Sequence, residues 1–272
     1  MKILKIILIL LNSVLFGQSY RVIYELKFKT DSLKDHYSSQ NMVLDIGQHE
    51  TKFYYEKLLK LDSLSRKGIN ISFSMPLQQI LKKVKEEKMY INYYSLDGQY
   101  FQYNTFDQVK WVVLEENKIE NNIHLQKAKT FFGGRYWEAW FSIDTPLQEG
   151  PYKFRGLPGL IYEIRDSKNN FIYKLISLTK LTEEFSTNNI VESCLGIKPI
   201  TVNEKQFKKI LLEKYLNPFG QFDNINDGNF GLQYGDRYIT SKKELSDIKS
   251  SFQKNVRDHY NPIELDKAIK YK

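Results

Sequence analysis

Hydrophobic and polar residues alternate along much of the chain, which is the period of a β-strand with one buried face. In YRVIYELKF, every second residue from Tyr20 to Phe28 is apolar. Asp97-Gly98 separates two further aromatic stretches, and this pair supplies the backbone angles of a two-residue hairpin turn. GLIYEIRD and FIYKLISL, joined by a short polar stretch, predict another hairpin. Successive strands with short connections favour antiparallel pairing.

Fewer stretches have helical spacing. Residues 53–66 repeat apolar positions at helical steps, although their Phe-Tyr-Tyr start also fits a strand. Pro76 suits the first turn of a helix that ends near Lys88. Within it, the stretch LKKVKEEK at 81–88 indicates a solvated helix face.

The C-terminal part contains two patterns typical of helix starts. Thr201 with Glu204 and Ser241 with Glu244 each fit a reciprocal capping pair. An apolar stripe that includes Leu245 predicts that the last helix packs on the sheet. Between these helices, the Gly- and Asn-rich stretch 218–238 predicts a long loop that is either mobile or a binding loop.

These patterns predict an α+β protein, in which an antiparallel, strongly curved sheet packs against a few helices. An open half-barrel is one arrangement of such a sheet, by analogy with envelope lipid carriers. Because 42% of the 272 residues are hydrophobic, the chain can bury a large core. We expect residues 20–272 to form one domain.

The first 19 residues predict a secretory signal peptide. Lys2 and Lys5 precede an uncharged apolar run from Ile6 to Phe16, and small residues follow. The run is shorter than the roughly 20 residues of a spanning helix. No cysteine directly follows it, so we expect a periplasmic or secreted protein without a lipid anchor.

Charge and cysteine content narrow the function classes. The formal net charge is +8, and the basic residues form no concentrated patch, so we expect no nucleic-acid partner. Peripheral association with an anionic envelope surface stays open. Cys194 is the only cysteine, which excludes an internal disulfide and favours a packed, small hydrophobic residue.

No familiar catalytic spacing is present. The chain lacks paired-histidine zinc motifs, GxSxG, phosphate loops and dinucleotide fingerprints, so we expect no metal and no cofactor. Four carboxylates cluster in the central segment and would suit acid–base work in glycoside cleavage, although strand ends and turns commonly carry such residues. They are Glu138, Asp144, Glu163 and Asp166.

The strand that follows Gly133-Gly134 places two tryptophans on opposite faces. Trp137 lies on the more apolar face and Trp140 on the mixed face, where another element covers it or it forms a contact. Both tryptophans are candidate ligand-binding residues.

A dense group of glycines and prolines follows this strand, from Gly150-Pro151 to Gly159. We expect Gly150 and Gly159 to adopt backbone angles closed to other residues, and Gly156 to allow close backbone approach. The segment would then form a rigid corner between two short strands, YKF and LIYEI. The alternative is an anion-binding concavity of backbone amides beside Arg135 or Arg155.

The corner resembles the GLPGLI family, on the run Gly156-Leu157-Pro158-Gly159-Leu160-Ile161. The resemblance extends over WVVLEENKIENN, QKA, GGRYWEAWFSIDTP, GPYKF and NPIEL at 261–265. It implies an exported cell-envelope protein of unassigned biochemical role, with the run itself structural. Many family members carry a cysteine before QKA, where this chain has Leu125, so the resemblance implies no thiol role here.

Three function classes follow from these observations. We favour a non-catalytic binding or carrier module for an apolar or peptide ligand. A structural protein that docks an envelope partner fits equally well. A hydrolase with paired carboxylates ranks third, because it would need Glu138, Glu163 or Asp166 in one cleft. An enclosed cavity would favour the carrier, and a flat exposed patch would favour docking.

Processing of the N-terminus gives the first prediction. The small residues Gly17 and Ser19 end the apolar run, so we expect the exported protein to begin between Gln18 and Arg21. N-terminal sequencing of exported protein measures this directly, and a sequence that begins at Met1 would contradict it.

Overall fold

A computed structural model describes residues 18–69, 79–183 and 186–272. Most of the predicted signal peptide, residues 1–17, lies outside these ranges. In the described residues the strands are β1 Ser19–Phe28, β2 Ser38–Ile46, β3 Glu50–Tyr55, β4 Ile80–Val84, β5 Met89–Leu96, β6 Gln99–Thr105, β7 Val112–Glu120, β8 Ile123–Phe132, β9 Arg135–Ser142, β10 Leu160–Asp166, β11 Phe171–Leu181, β12 Ile200–Thr201, β13 Leu232–Tyr234 and β14 Arg237–Ile239.

Three α-helices accompany the strands in the described residues. They are α1 Lys57–Arg66, α2 Glu204–Leu216 and α3 Lys242–Asp258, with short 3₁₀ turns at Gly220–Phe222 and Leu265–Lys267. The expected α+β class is therefore confirmed.

Twelve of the strands form one sheet. Its order is β12-β6-β5-β4-β3-β2-β1-β11-β10-β9-β8-β7, and β13 and β14 form a separate hairpin. All neighbouring pairs are antiparallel except the short β12–β6 pair. The edge strands β12 and β7 are not paired with each other, so the strand order gives no support for a closed barrel.

The predicted hairpin at Asp97-Gly98 is confirmed, and Gly133-Gly134 forms the turn between β8 and β9. All four residues have positive φ, which glycine and aspartate tolerate in tight turns. The β10–β11 hairpin is also confirmed, with a turn over residues 167–170.

One face of the sheet, here called the inner face, carries the main core. Val22 and Leu26 on β1 are fully buried, and fully buried partners continue from Val22 toward β4 and from Leu26 toward β9. This row of fully buried partners comprises Leu44, Phe53 and Leu81 on one side of β1, and Tyr173, Ile164 and Ala139 on the other.

Part of the opposite, outer face is also covered. Val43 and Tyr54 point there and are fully buried. The Tyr100 hydroxyl donates to the backbone oxygen of Val191 at 2.9 Å, which fixes the segment 187–192 against this face. Cys194 packs half-buried against the same core, as the sequence suggested.

The described part of the predicted helix from Pro76 to Lys88 is a strand and a turn, so that prediction is wrong. Residues 76–78 lie outside the described residues, and Ile80–Val84 is β4. Lys83 occupies an inner-face position and is 0% exposed, since Glu149 pairs with it at 3.1 Å. A buried lysine in a strand position concealed the alternation and made the stretch resemble a solvated helix face.

Two other local predictions need correction. Residues 53–66, predicted as one helix, are the end of β3 followed by α1. This agrees with the strand alternative for the Phe-Tyr-Tyr start. The helix α2 is capped by Asn203 with Gln206 instead of Thr201 with Glu204. The predicted cap of α3 by Ser241 and Glu244 is confirmed.

The stretch 218–238 is more ordered than a long loop. It contains the turn at Gly220–Phe222 and the hairpin of β13 and β14. Phe219 and Phe230 pack with Leu245 and Ile248 of α3 in a second apolar cluster, so these stripe residues pack on this stretch and not, as the sequence had predicted, on the large sheet.

The Gly- and Pro-rich segment forms a corner by different means from those expected. Residues 152–154 are a turn and coil, so YKF is not a strand, whereas LIYEI lies in β10. The expected roles of the glycines were reversed: Gly156 has φ +94°, whereas Gly150 and Gly159 have no positive φ. A Cβ on Gly159 would lie 1.9 Å from the backbone oxygen of Ser142.

Substitution of Gly159 tests this account of the corner. Gly159→Ala should reduce the free energy of unfolding by about 3 kcal/mol, because backbone must move to admit the Cβ. Gly98→Ala has open space around it and only a positive φ, so it should cost about 1 kcal/mol. Denaturant unfolding measures both, and equal losses would contradict the steric explanation.

Candidate functional site

A cavity of about 570 Å³ lies between the inner face of the sheet and the C-terminal part of the chain. Residues of β1 to β6 form one wall, and α2, α3 and the segment 259–271 form the other. Seven tyrosines line it: Tyr55, Tyr93, Tyr94, Tyr103, Tyr152, Tyr260 and Tyr271. The wall thus combines aromatic rings with polar and charged side chains.

Tyr94 and Tyr103 are placed by packing against helix α2. The ring of Phe207 lies 4.7 Å from the ring of Tyr94 and 5.0 Å from the ring of Tyr103. No described residue forms a hydrogen bond with either hydroxyl. Burial raises the pKa of both hydroxyls, so they remain neutral and can donate to a ligand.

Asn92 lies directly across from Tyr103 on the paired strand, at an inner-face position. Its amide nitrogen donates to the backbone oxygen of Tyr103 at 3.2 Å and to the hydroxyl of Thr105 at 3.1 Å. These bonds fix the orientation of the side chain. Asn92 is only 8% exposed and lines the cavity.

A network of buried charges forms the base of the cavity. Lys153 donates to Glu264 at 2.5 Å and to Asp107 at 2.6 Å, and Lys267 pairs with the same two carboxylates. The Tyr152 hydroxyl also donates to Glu264. Burial opposes ionisation of Asp107, but both lysines outweigh it and lower its pKa to about 2. The same lysines lower the pKa of Glu264 against its burial.

The remaining lysines at the cavity wall also have partners. Lys29 pairs with Asp35 at 3.0 Å, and Lys208 pairs with Glu204 at 2.9 Å on α2. Every lysine that lines the cavity is therefore compensated by a carboxylate.

Arg135 connects the sheet to the C-terminal segment. Its guanidinium donates to the backbone oxygens of Ile263 and Pro262, to the side chain of Asn261, and to Asp166. All of these acceptors belong to the protein itself. The hydrogen bonds therefore hold residues 261–263 against the strand ends. This is where the NPIEL stretch lies.

The other sequence-predicted site residues lie away from the cavity. Trp137 is buried, with its ring 4.6 Å from that of Phe154. Trp140 lies on the outer face, where the amine of Lys118 approaches its ring at 4.7 Å. Arg155 pairs with Glu149 at 3.4 Å.

The four candidate carboxylates are divided between the two faces of the sheet and a strand end. Glu138 and Glu163 lie on the outer face and pair with lysines there. Asp166 is buried on the inner face against Arg135, and Asp144 lies beside His124 at a strand end. The structure therefore does not bring Asp166 into a cleft with Glu138.

The cavity residues Asn92, Tyr94 and Tyr103 were missed at the level of sequence. Their alternation in MYINYYS and QYFQYNTF does place them on one strand face. However, the sequence does not show that a cavity remains between this face and α2. The packing of α2, which is distant in sequence, determines whether that space is filled.

Metal-binding clusters and membrane-spanning helices are both absent from the described ranges. There, no group of three or more His, Cys, Asp or Glu side chains could hold a metal ion. Within the same ranges, none of the helices has the length and apolar character needed to cross a membrane.

Comparisons with known proteins bear on the fold through solved structures and leave the activity open. A family model described as a protein of unknown function (Porph_ging) matches residues 82–163. No curated protein matches the chain. Two crystal forms of PNGF-II, in space groups C2 and P21, are similar, each with TM-score 0.51 and 12% identity.

The similarity to PNGF-II covers 71% of this chain but only 32% and 33% of those chains. This chain thus spans about a third of their length. At 12% identity, the likeness shows the fold alone.

The buried charges predict a pH dependence of stability. Asp107 has a pKa lowered to about 2 in the folded protein, so its stabilisation is present above its ordinary pKa near 4 and is lost as pH falls toward 2. The Asp107→Asn variant should therefore lose less free energy of unfolding than the native protein between pH 4 and pH 2. The exposed Asp236→Asn is the control and should leave the slope unchanged. Denaturant unfolding across this pH range measures the difference, and identical slopes in both variants would contradict the assignment.

Proposed function

We propose that the protein is a non-catalytic binding or carrier module whose apolar or peptide ligand occupies the tyrosine-lined cavity. The observation that carries the proposal is the cavity itself. Its volume of about 570 Å³ lies in the range of small-molecule sites, roughly 300–1,000 Å³. Aromatic walls with a few fixed polar groups are typical of such sites.

We further propose that the sheet is strongly curved, so that its inner face is concave. Support comes from the segment 149–150, which bonds to two distant strands. The Ile161 amide of β10 donates to the Glu149 oxygen at 3.1 Å, and Lys83 of β4 donates to the Gly150 oxygen at 2.8 Å. Five strand spacings separate β10 from β4, about 24 Å along a flat sheet. The side chain of Lys83 is far shorter than this flat-sheet distance. Curvature of the sheet would bring β4 and β10 close enough for both bonds.

Export belongs to the same proposal. The pattern of lysines, apolar run and small residues supports a cleaved signal peptide, and β1 begins at Ser19, next to the proposed cleavage site. The GLPGLI-type run, which lies within residues 82–163, supports a place in the cell envelope. The site of action would then be the periplasm or the exterior, without a lipid anchor.

Docking of an envelope partner is the second candidate, and one surface feature favours it. Phe131 and Tyr136 flank the β8–β9 turn, are 61% and 67% exposed, and have ring centres 4.8 Å apart. Contiguous exposed apolar surface is a feature of protein–protein contact sites. The pair is much smaller than a standard interface, so we rank the cavity first.

A cavity-blocking variant tests the binding proposal. Leu211 of α2 lines the cavity, whereas Leu216 on the same helix is 52% exposed. We expect the neutral fluorescent probe N-phenyl-1-naphthylamine to bind the native protein saturably. Leu211→Trp should weaken binding at least about tenfold, because the indole occupies the cavity, and Leu216→Trp should not change it.

Two outcomes would decide against the cavity. Non-saturable binding by the native protein would favour the docking candidate. Equal binding by both tryptophan variants would show that the probe binds elsewhere.

A further inference from the structure

The charge balance of the cavity restricts what it can bind. This step rests on the proposed function and concerns the chemistry of the ligand. Lys153 and Lys267 share Asp107 and Glu264, and the other wall lysines have their own carboxylates. A charged ligand would enter an aromatic cavity without a free counter-ion, at a high cost of desolvation.

Like the Tyr94 and Tyr103 hydroxyls, the amide oxygen of Asn92 at the wall has no hydrogen-bond partner among the described residues. The amide nitrogen of Asn92 is used by β6, through the Tyr103 oxygen and the Thr105 hydroxyl. The amide oxygen, on the other branch of the side chain, receives no hydrogen bond from a described donor. Asn92 lines the cavity, so this acceptor is available to a donor on whatever fills the cavity.

The neighbours of Asn92 complete a polar strip. Tyr94 follows two residues later on the same strand face, and Tyr103 lies directly across on β6. Their neutral hydroxyls can donate as well as accept. The strip therefore presents one acceptor and two hydroxyls, surrounded by aromatic rings.

We propose that Asn92 determines the specificity of the cavity: its amide oxygen accepts a hydrogen bond from an uncharged amide or hydroxyl group of the ligand. The apolar part of the same ligand lies against the tyrosine rings. An uncharged peptide amide and a neutral alcohol share this chemistry. Carboxylates and simple ethers lack the combination of neutrality and a donor.

A series of ligands with one alkyl chain and different head groups tests the proposal. Octanamide, octan-1-ol, octyl methyl ether and octanoate would be titrated at pH 7 by displacement of N-phenyl-1-naphthylamine from the native protein. Octanamide and octan-1-ol should bind about fivefold more tightly than the ether, which is one hydrogen bond of about 1 kcal/mol. Octanoate should bind at least about tenfold more weakly than octanamide.

Variants assign the preference to Asn92. Asn92→Val should bring the ratio of octanamide to ether affinity close to one. Asn104→Val makes the same substitution on the exposed outer face of β6, away from the cavity, and should preserve the ratio, which makes it the matched control. Thermal unfolding shows whether Asn92→Val is folded; if it is not, the head-group series on the native protein still decides.

The outcomes separate this inference from the proposed function. If the probe binds saturably but octanoate or the ether binds most tightly, the inference is wrong and the binding function stands. If the probe itself does not bind saturably, the proposed function fails first. An unchanged preference for octanamide in folded Asn92→Val would overturn the role of Asn92.

Discussion

Two buried lysines hold the segment 149–155 over the inner face of the sheet, and the rest of the architecture depends on them. Lys83 reaches from β4 to Glu149 and Gly150, and Lys153 reaches from the segment to Asp107 and Glu264. Burial lowers the pKa of Lys83 to about 8, against the effect of Glu149. Buried charges of this kind are tolerated only when paired and hydrogen-bonded, so they specify where the segment lies.

The placement of this segment explains why the two halves of the inner face differ. Toward β9, Phe154 packs against Trp137 and Phe132, and the space is filled. Toward β5 and β6, no equivalent segment of the described chain fills the face, and α2 and residues 259–271 lie across it. Arg135 holds the C-terminal segment at the strand ends. The cavity is the space left between these two anchored parts.

Local sequence patterns predicted the strands and hairpins well, because alternation and turn residues act over a few positions. They failed where a distant partner decides the structure. Lys83 resembled a surface lysine because Glu149, far along the chain, was not visible as its partner. Gly159 was assigned a special angle, although its real constraint is the Ser142 backbone. Asn92 carries no motif at all, and only the strand register and α2 give it a role.

Hydrogen–deuterium exchange with and without octanamide tests the central claim, that a neutral ligand occupies the space between the sheet and the C-terminal helices. The account predicts slower exchange in α2 and residues 259–271 when octanamide is present, since ordering a ligand against these elements reduces their local opening. Exchange in β7 to β9 should remain unchanged, because those strands do not line the cavity. Slower exchange confined to β8, β9 and their turn, with α2 unaffected, would contradict the account.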